Sequence, residues 1–154
     1  IENAKECVFI TDWFLVPELY LKREQPTSVQ HRLDRLLKRK AQQGVKIYVL
    51  LWNETSIAVK LNSAATKKKL ESLHSNILVL RHPPLDPLNW SHHQKTVVVD
   101  YEIAVVGGLD LCYGRWDSQE HKCVDNCHLS LKWPGKDYIN PNRKALDHPE
   151  IPFK

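Results

Sequence analysis

Apolar residues along this chain recur at two different spacings, and the alternation between them predicts its architecture. Cys7-Val8-Phe9-Ile10-Thr11 is a short apolar run with β-branched members, bounded by the polar Lys5-Glu6, and predicts a buried strand. From Gln30 to Gln43 the apolar residues Leu33, Leu36, Leu37 and Ala41 fall at helical spacing. Arg32, Arg35, Lys38, Arg39 and Lys40 take the remaining faces, and Gly44 supplies a C-terminal stop. That pattern predicts an amphipathic helix packed on a sheet.

Val45 to Trp52 predicts a second buried strand, Ser63 to His74 a second helix and Asn76 to Leu80 a third strand. Strands alternating with helices are the mark of βαβ units, so the sheet here is expected to be largely parallel. After the prolines at 83, 84 and 87, Gln94 to Asp100 and Ile103 to Val106 read as two strands separated by Tyr101-Glu102. So short a connection predicts a hairpin and makes the class mixed α/β. Beyond Gly107 the chain turns polar, and Pro134-Gly135, Asn140-Pro141, Pro149 and Pro152 leave room mainly for extended loop.

Composition narrows the class of protein. The 154 residues fit one domain with a real core. A formal charge of +4 favours anionic partners without separating nucleic acid from phospholipid. Cys7, Cys112, Cys123 and Cys127 are too few and too uneven for a disulfide framework, which points to free thiols in a reducing cytosolic setting. The longest apolar runs, such as Ile47 to Trp52, fall far short of the roughly 20 residues of a membrane-spanning helix, so membrane contact is expected to be peripheral. The chain opens on Ile1, lacks methionine and starts in what reads as a helix end at Glu2 to Glu6, so it is expected to be an internal piece of a longer protein.

The chemistry-bearing stretch is Ser91 to Asp100, which reads H-x-K-x-x-x-x-D from His93. On an extended strand residues two apart face one way, so His93 and Lys95 are expected to point into one pocket roughly 6 to 7 Å apart at the backbone. An imidazole, with an ordinary pKa of about 6.5, can attack phosphorus, and an ammonium can stabilise the charge that grows on the equatorial oxygens. Asp100 completes the motif, but seven residues of strand put it about 23 Å away and on the opposite face. Holding the turn into Ile103 suits Asp100 better than orienting its own histidine, which still needs a carboxylate partner. Gly107-Gly108 follows, where a backbone can approach a ligand closely.

His93-x-Lys95-x-x-x-x-Asp100 followed by Gly107-Gly108-Leu109-Asp110 resembles the signature of the phospholipase D superfamily. The likeness extends to Ile10 to Trp13, Leu37 to Gly44, Leu109 to Asp117, His121, Asp125 and Gly135 to Tyr138, which are similar to the first catalytic half of eukaryotic phospholipase D, the PX- and PH-domain-bearing branch. The resemblance implies a mixed, largely parallel sheet flanked by helices, one half of the two-fold phospholipase D catalytic fold. It makes residues 1–154 one half-domain, with 132–154 a loop-rich connector toward a second half. It implies hydrolysis of phosphatidylcholine to phosphatidic acid and choline through a phosphohistidine, with primary alcohols able to replace water and no metal or other cofactor required.

By position the resemblance assigns His93, Lys95, Asp100 and Asp125 to catalysis, Asp125 being the carboxylate behind the histidine. Gly107, Gly108, Asp110 and Trp116 are expected to bind substrate or support the site. Many superfamily members carry asparagine at Asp110; an anion there would repel a phosphodiester, so Asp110 is expected to brace the loop. The implied partners are a phospholipid membrane surface and a second H-x-K-x-x-x-x-D half, with no nucleic acid expected, cytoplasmic residence at membranes, and phosphoinositide activation possible in the parent protein. No other histidine in the chain has lysine two positions later, so the second motif must come from elsewhere.

Two other readings stay open. A single-motif chain could pair with itself as a phosphodiesterase or endonuclease, and the basic helix from Arg32 to Lys40 could bind anionic membranes without catalysis. His121-x-Cys123-x-x-x-Cys127-His128 lacks the spacing of common zinc pairs. His92 is expected to face away from the motif as a packing residue, and Trp13, Trp90 and Trp116 to line a choline pocket or fill the core.

Overall fold

The computed structural model describes residues 1–22, 28–55, 61–83, 90–115 and 119. The chain forms two compact units, Ile1–Leu111 and Cys112–Lys154, and among the described residues the regular elements lie in the first. They are β1 (Cys7–Asp12), a short 3₁₀ helix (Val29–His31), α1 (Leu33–Gln42), β2 (Lys46–Trp52), α2 (Ser63–Glu71), β3 (Ile77–His82), β4 (Thr96–Val99) and β5 (Ile103–Val106). The five strands run in the order β3-β2-β1-β4-β5, with β1, β2 and β3 parallel and β4 and β5 antiparallel to their neighbours. The predicted mixed sheet with flanking helices is the one formed.

Alternation along the strands decides which face is buried. Val8, Ile10, Ile47, Val49, Leu51, Ile77 and Val79 share the core with Leu33, Leu37 and Ala41 of α1 and Leu70 of α2. The helix ends where its sequence says: Gly44 has φ 95°, its N–H bonds the Ala41 carbonyl and that of Val45 the Lys40 carbonyl. That pair of bonds is the Schellman closure, whose left-handed residue glycine adopts without strain.

The start of α1 differs from expectation. Instead of one helix from Gln30, a 3₁₀ turn is followed by an extended Arg32 (φ −71°, ψ 141°) before α1 begins. The incoming loop is the reason: the Leu21 N–H bonds the His31 carbonyl and the Leu33 N–H bonds the Leu19 carbonyl, so backbone groups of this stretch pair across the chain. The basic face of the helix is also largely spent within the molecule. Arg32 grips Asp34 through two guanidinium nitrogens, Arg39 meets Glu2 and Gln30, and the buried Lys40 bonds Gln43.

The start of the motif strand differs too, because β4 begins at Thr96 rather than Gln94. Thr96 is the last residue of β4 to pair with β1, opposite Thr11, so Ser91 to Lys95 run off the edge of the sheet. At the other end Asp100 and Tyr101 have φ 53° and 59° and the Glu102 N–H closes on the Val99 carbonyl at 3.0 Å. This is the primed turn whose twist suits a hairpin.

Asp100 fixes that turn to the start of β1. Its carboxylate accepts the backbone N–H groups of Lys5 (2.8 Å), Glu6 (2.8 Å) and Cys7 (2.9 Å). These amides, Cys7 first, hold the Asp100 carboxyl below its ordinary 3.8. A depressed folded pKa adds stability above the unfolded value, and that stability is lost as pH falls through the folded one. Asp100→Asn should therefore lower the thermal midpoint at neutral pH, and its deficit against wild type should shrink below about pH 4. A pH-independent deficit in thermal unfolding would contradict this.

Candidate active site

Three parallel strands end at the same edge of the sheet, the edge where α/β sheets place their ligands. β1 delivers Asp12 and then Trp13, β2 delivers Trp52, and β3 delivers His82. Antiparallel β4 starts from this edge, bringing His92, His93 and Lys95 just before it, and β5 ends there, bringing Gly107 to Asp110 just after. Strand direction alone therefore collects most of the predicted residues.

Trp13 is the surface on which they meet. It stacks on Trp52 with centroids 5.8 Å apart and planes 13° from parallel. The His93 ring tilts against it at 5.4 Å, and the Lys95 ammonium lies 5.7 Å from its ring centroid. His93 and Lys95 are thus brought together, though not as adjacent teeth of one strand. The imidazole is exposed while the lysine is buried, and the Lys95 Nζ also bonds the His93 carbonyl at 3.3 Å.

Lys95 Nζ lies 2.9 Å from Asp110 Oδ1, with side chains only 6% and 3% exposed. Asp110 also accepts the Phe14 N–H at 3.2 Å, so it braces the loop through the motif cation itself. Asp12 sits beside it, its oxygens accepting the N–H groups of Trp13 (2.9 Å) and Leu111 (2.7 Å). Burial, with Asp110 adding to it against those amides, pushes the Asp12 carboxyl up to about 8. An uncharged Asp12 leaves the buried trio of Asp12, Asp110 and Lys95 electrically balanced at neutral pH.

Gly107 and Gly108 are exposed, and a Cβ at either would meet nothing within 4 Å, so the ground above them is open. The Gly107 N–H bonds the Lys95 carbonyl at 3.2 Å, tying this open turn to the motif. His92 stacks on His82 at 5.4 Å, and burial followed by the neighbouring His82 lowers its pKa. Asp100 is not in the group. It is held at the opposite end of β1, about 17 Å of strand from Asp12, which separates the motif aspartate from the histidine and lysine it was counted with. Trp116, Asp125 and the His121 to His128 stretch lie outside the described residues. Among the described residues no group of three metal-ligating side chains forms, and no helix is long and apolar enough to cross a membrane.

Asp12 and Trp52 were not singled out from sequence, although each ends an apolar run just where a parallel strand would stop. That position was the available signal.

The phospholipase D family profile matches residues 1–142. The chain belongs to the phospholipase D family. It is 53% identical over 154 residues to phospholipase D A of Dictyostelium discoideum, covering 100% of this chain and 12% of that protein. It is 49% identical over 130 residues to phospholipase D1 of Homo sapiens, covering 81% of this chain and 12% of that protein. The chain thus spans about an eighth of these relatives. Among solved structures it is similar to NucT from Helicobacter pylori, with a TM-score of 0.49 and 19% identity over 74% of this chain and 64% of that one.

In this phospholipase D chain, removing one partner of the Lys95–Asp110 pair strands the other in a dry site. Lys95→Met should lower stability by about 3–5 kcal/mol, and adding Asp110→Asn should recover much of the loss. Urea denaturation checks both, and a Lys95→Met chain as stable as wild type would contradict the pair's role.

Proposed function

We propose that this chain supplies one half of a phospholipase D active site, hydrolysing phosphatidylcholine to phosphatidic acid and choline. The observation that carries the reading is the exposed His93 imidazole and the Lys95 ammonium meeting on Trp13, in a chain about half identical to curated phospholipases D. His93 attacks phosphorus, the phosphorus–oxygen bond to choline breaks, and a phosphohistidine forms. Lys95 steadies the charge on the equatorial oxygens. Water, or a primary alcohol, then displaces the histidine.

The leaving alkoxide takes its proton from the histidine of a second motif, which another part of the parent protein supplies. By likeness to the family, Asp125 is assigned as the carboxylate that supports the catalytic histidine, and Trp116 is assigned a supporting role. The open turn at Gly107-Gly108 admits the diester, whose oxygens can approach the backbone there. No metal or other cofactor takes part; phosphoinositides act on the parent as activators. The partner surface is a phospholipid membrane, met peripherally from the cytoplasm, and nucleic acid is not a substrate.

In the intact parent, His93→Asn should abolish choline release from phosphatidylcholine vesicles while leaving the unfolding transition in place, and Lys95→Arg should do likewise. The same assay with single-stranded DNA completes the test. Full lipase activity in folded His93→Asn protein, or DNA cleavage without lipase activity, would overturn the reading.

A further inference from the structure

Asp12 is 1% exposed and has no part in the steps above. Its surroundings are nevertheless built around it. Asp12 accepts the Leu111 N–H from the segment that carries Asp110, and Asp110 accepts the Phe14 N–H from the segment that carries Asp12. The two segments clasp each other through these carboxyl groups, and the neighbouring Asp110 adds to the rise of the Asp12 carboxyl. Two carboxyl groups set side by side in a site this dry cannot both be charged, so the pair retains a proton.

We propose that Asp12 is a positioning residue for the phosphate site: it and Asp110 hold one proton between them, so that Lys95 meets the diester balanced by one carboxylate rather than two. The proposal rests on the phosphodiesterase reading. With the proton in place, Lys95, Asp110 and Asp12 sum to zero charge, and Lys95 can turn an N–H to a phosphate oxygen. Without it the trio carries a net negative charge beside a monoanionic diester, and binding weakens.

The rise of the Asp12 carboxyl to about 8 puts the proton in place at neutral pH and lets it go in mild alkali. Among the described residues, Lys95, Asp110, His92 and His93 face this point. The His92 ring lies against the Asp12 backbone, and its lowered pKa leaves it neutral throughout that alkaline range. His93 meets the group through the Trp13 ring and through its carbonyl, which accepts from Lys95.

The test is kcat/KM of the intact parent for a soluble short-chain phosphatidylcholine as a function of pH, since the charge of a diester is constant across neutrality. Wild type should lose about tenfold per pH unit above the Asp12 pKa, through a rising KM. Asp12→Asn should remove that limb, and if Asp12→Asn fails to fold, infrared titration of the wild-type carboxyl band still tests the proposal. An alkaline limb unchanged in a folded variant, or one carried by kcat alone, overturns the proposal. Infrared difference spectra read the proton without turnover: a carboxylic-acid carbonyl band should titrate near pH 8 and vanish in Asp12→Asn. Absence of that band overturns the proposal. A titrating band in a parent that hydrolyses no phosphatidylcholine supports the shared proton and sinks the functional reading instead.

Discussion

The arrangement of this edge of the sheet depends on one buried ion pair, Lys95 to Asp110. An ammonium and a carboxylate removed from water are each expensive unless their remaining donors and acceptors are satisfied. Here they are. Lys95 has the His93 carbonyl as a second acceptor and the face of Trp13 beneath it, and Asp110 has the Phe14 amide. Three stretches that no regular hydrogen-bond ladder joins are thereby locked together: the exit of β1, the approach to β4 and the exit of β5. The motif lysine is a chemical group and a structural one at once, so its substitution tests both roles.

The two ends of β1 divide the motif between them. At Asp12 and Trp13 the strand presents the chemistry-bearing edge, while at Cys7 its backbone receives the Asp100 carboxylate. Asp100 replaces part of the hydrogen-bonding that a hairpin loop leaves unfilled, and so sets the register in which Val8 to Thr11 pair with Val99 to Thr96. That register brings Lys95 level with the end of β1. The aspartate of H-x-K-x-x-x-x-D therefore lies a strand's length from the histidine and lysine, bound to the far end of β1.

The sequence is most legible where one period governs. Leu33, Leu36, Leu37 and Ala41 fix α1, Gly44 fixes its end, and the apolar runs fix all three parallel strands to within a residue or two. Legibility fails where a distant segment takes over the backbone. The bridge between Tyr20 and Arg32 delays the helix, and the end of β1 shortens the motif strand. Within the site, spacing identified His93, Lys95 and the glycine turn. It could not identify Asp12, because an aspartate closing an apolar run looks like a strand terminator until topology sets it against Asp110. Nor could spacing show that Asp110, expected to brace the loop, pairs with the motif cation.

Charge balance at this edge carries one further consequence. A half-site whose lysine is already matched by a carboxylate has little net attraction for an anionic diester, so it cannot capture one by Coulomb force alone. What it supplies is geometry: an ammonium held by Asp110, the His93 carbonyl and Trp13, and an imidazole braced on the same indole. Donors fixed before the reaction are worth most where charge develops in the transition state, because they need no reorganisation when it appears. On the proposed phosphodiesterase reading, an arrangement of that kind would favour the pentacoordinate phosphorus over the ground-state diester, the direction catalysis requires. On that reading, the attraction that first brings the diester in must come from groups beyond this trio, and a second histidine–lysine motif would have the right charge to provide it.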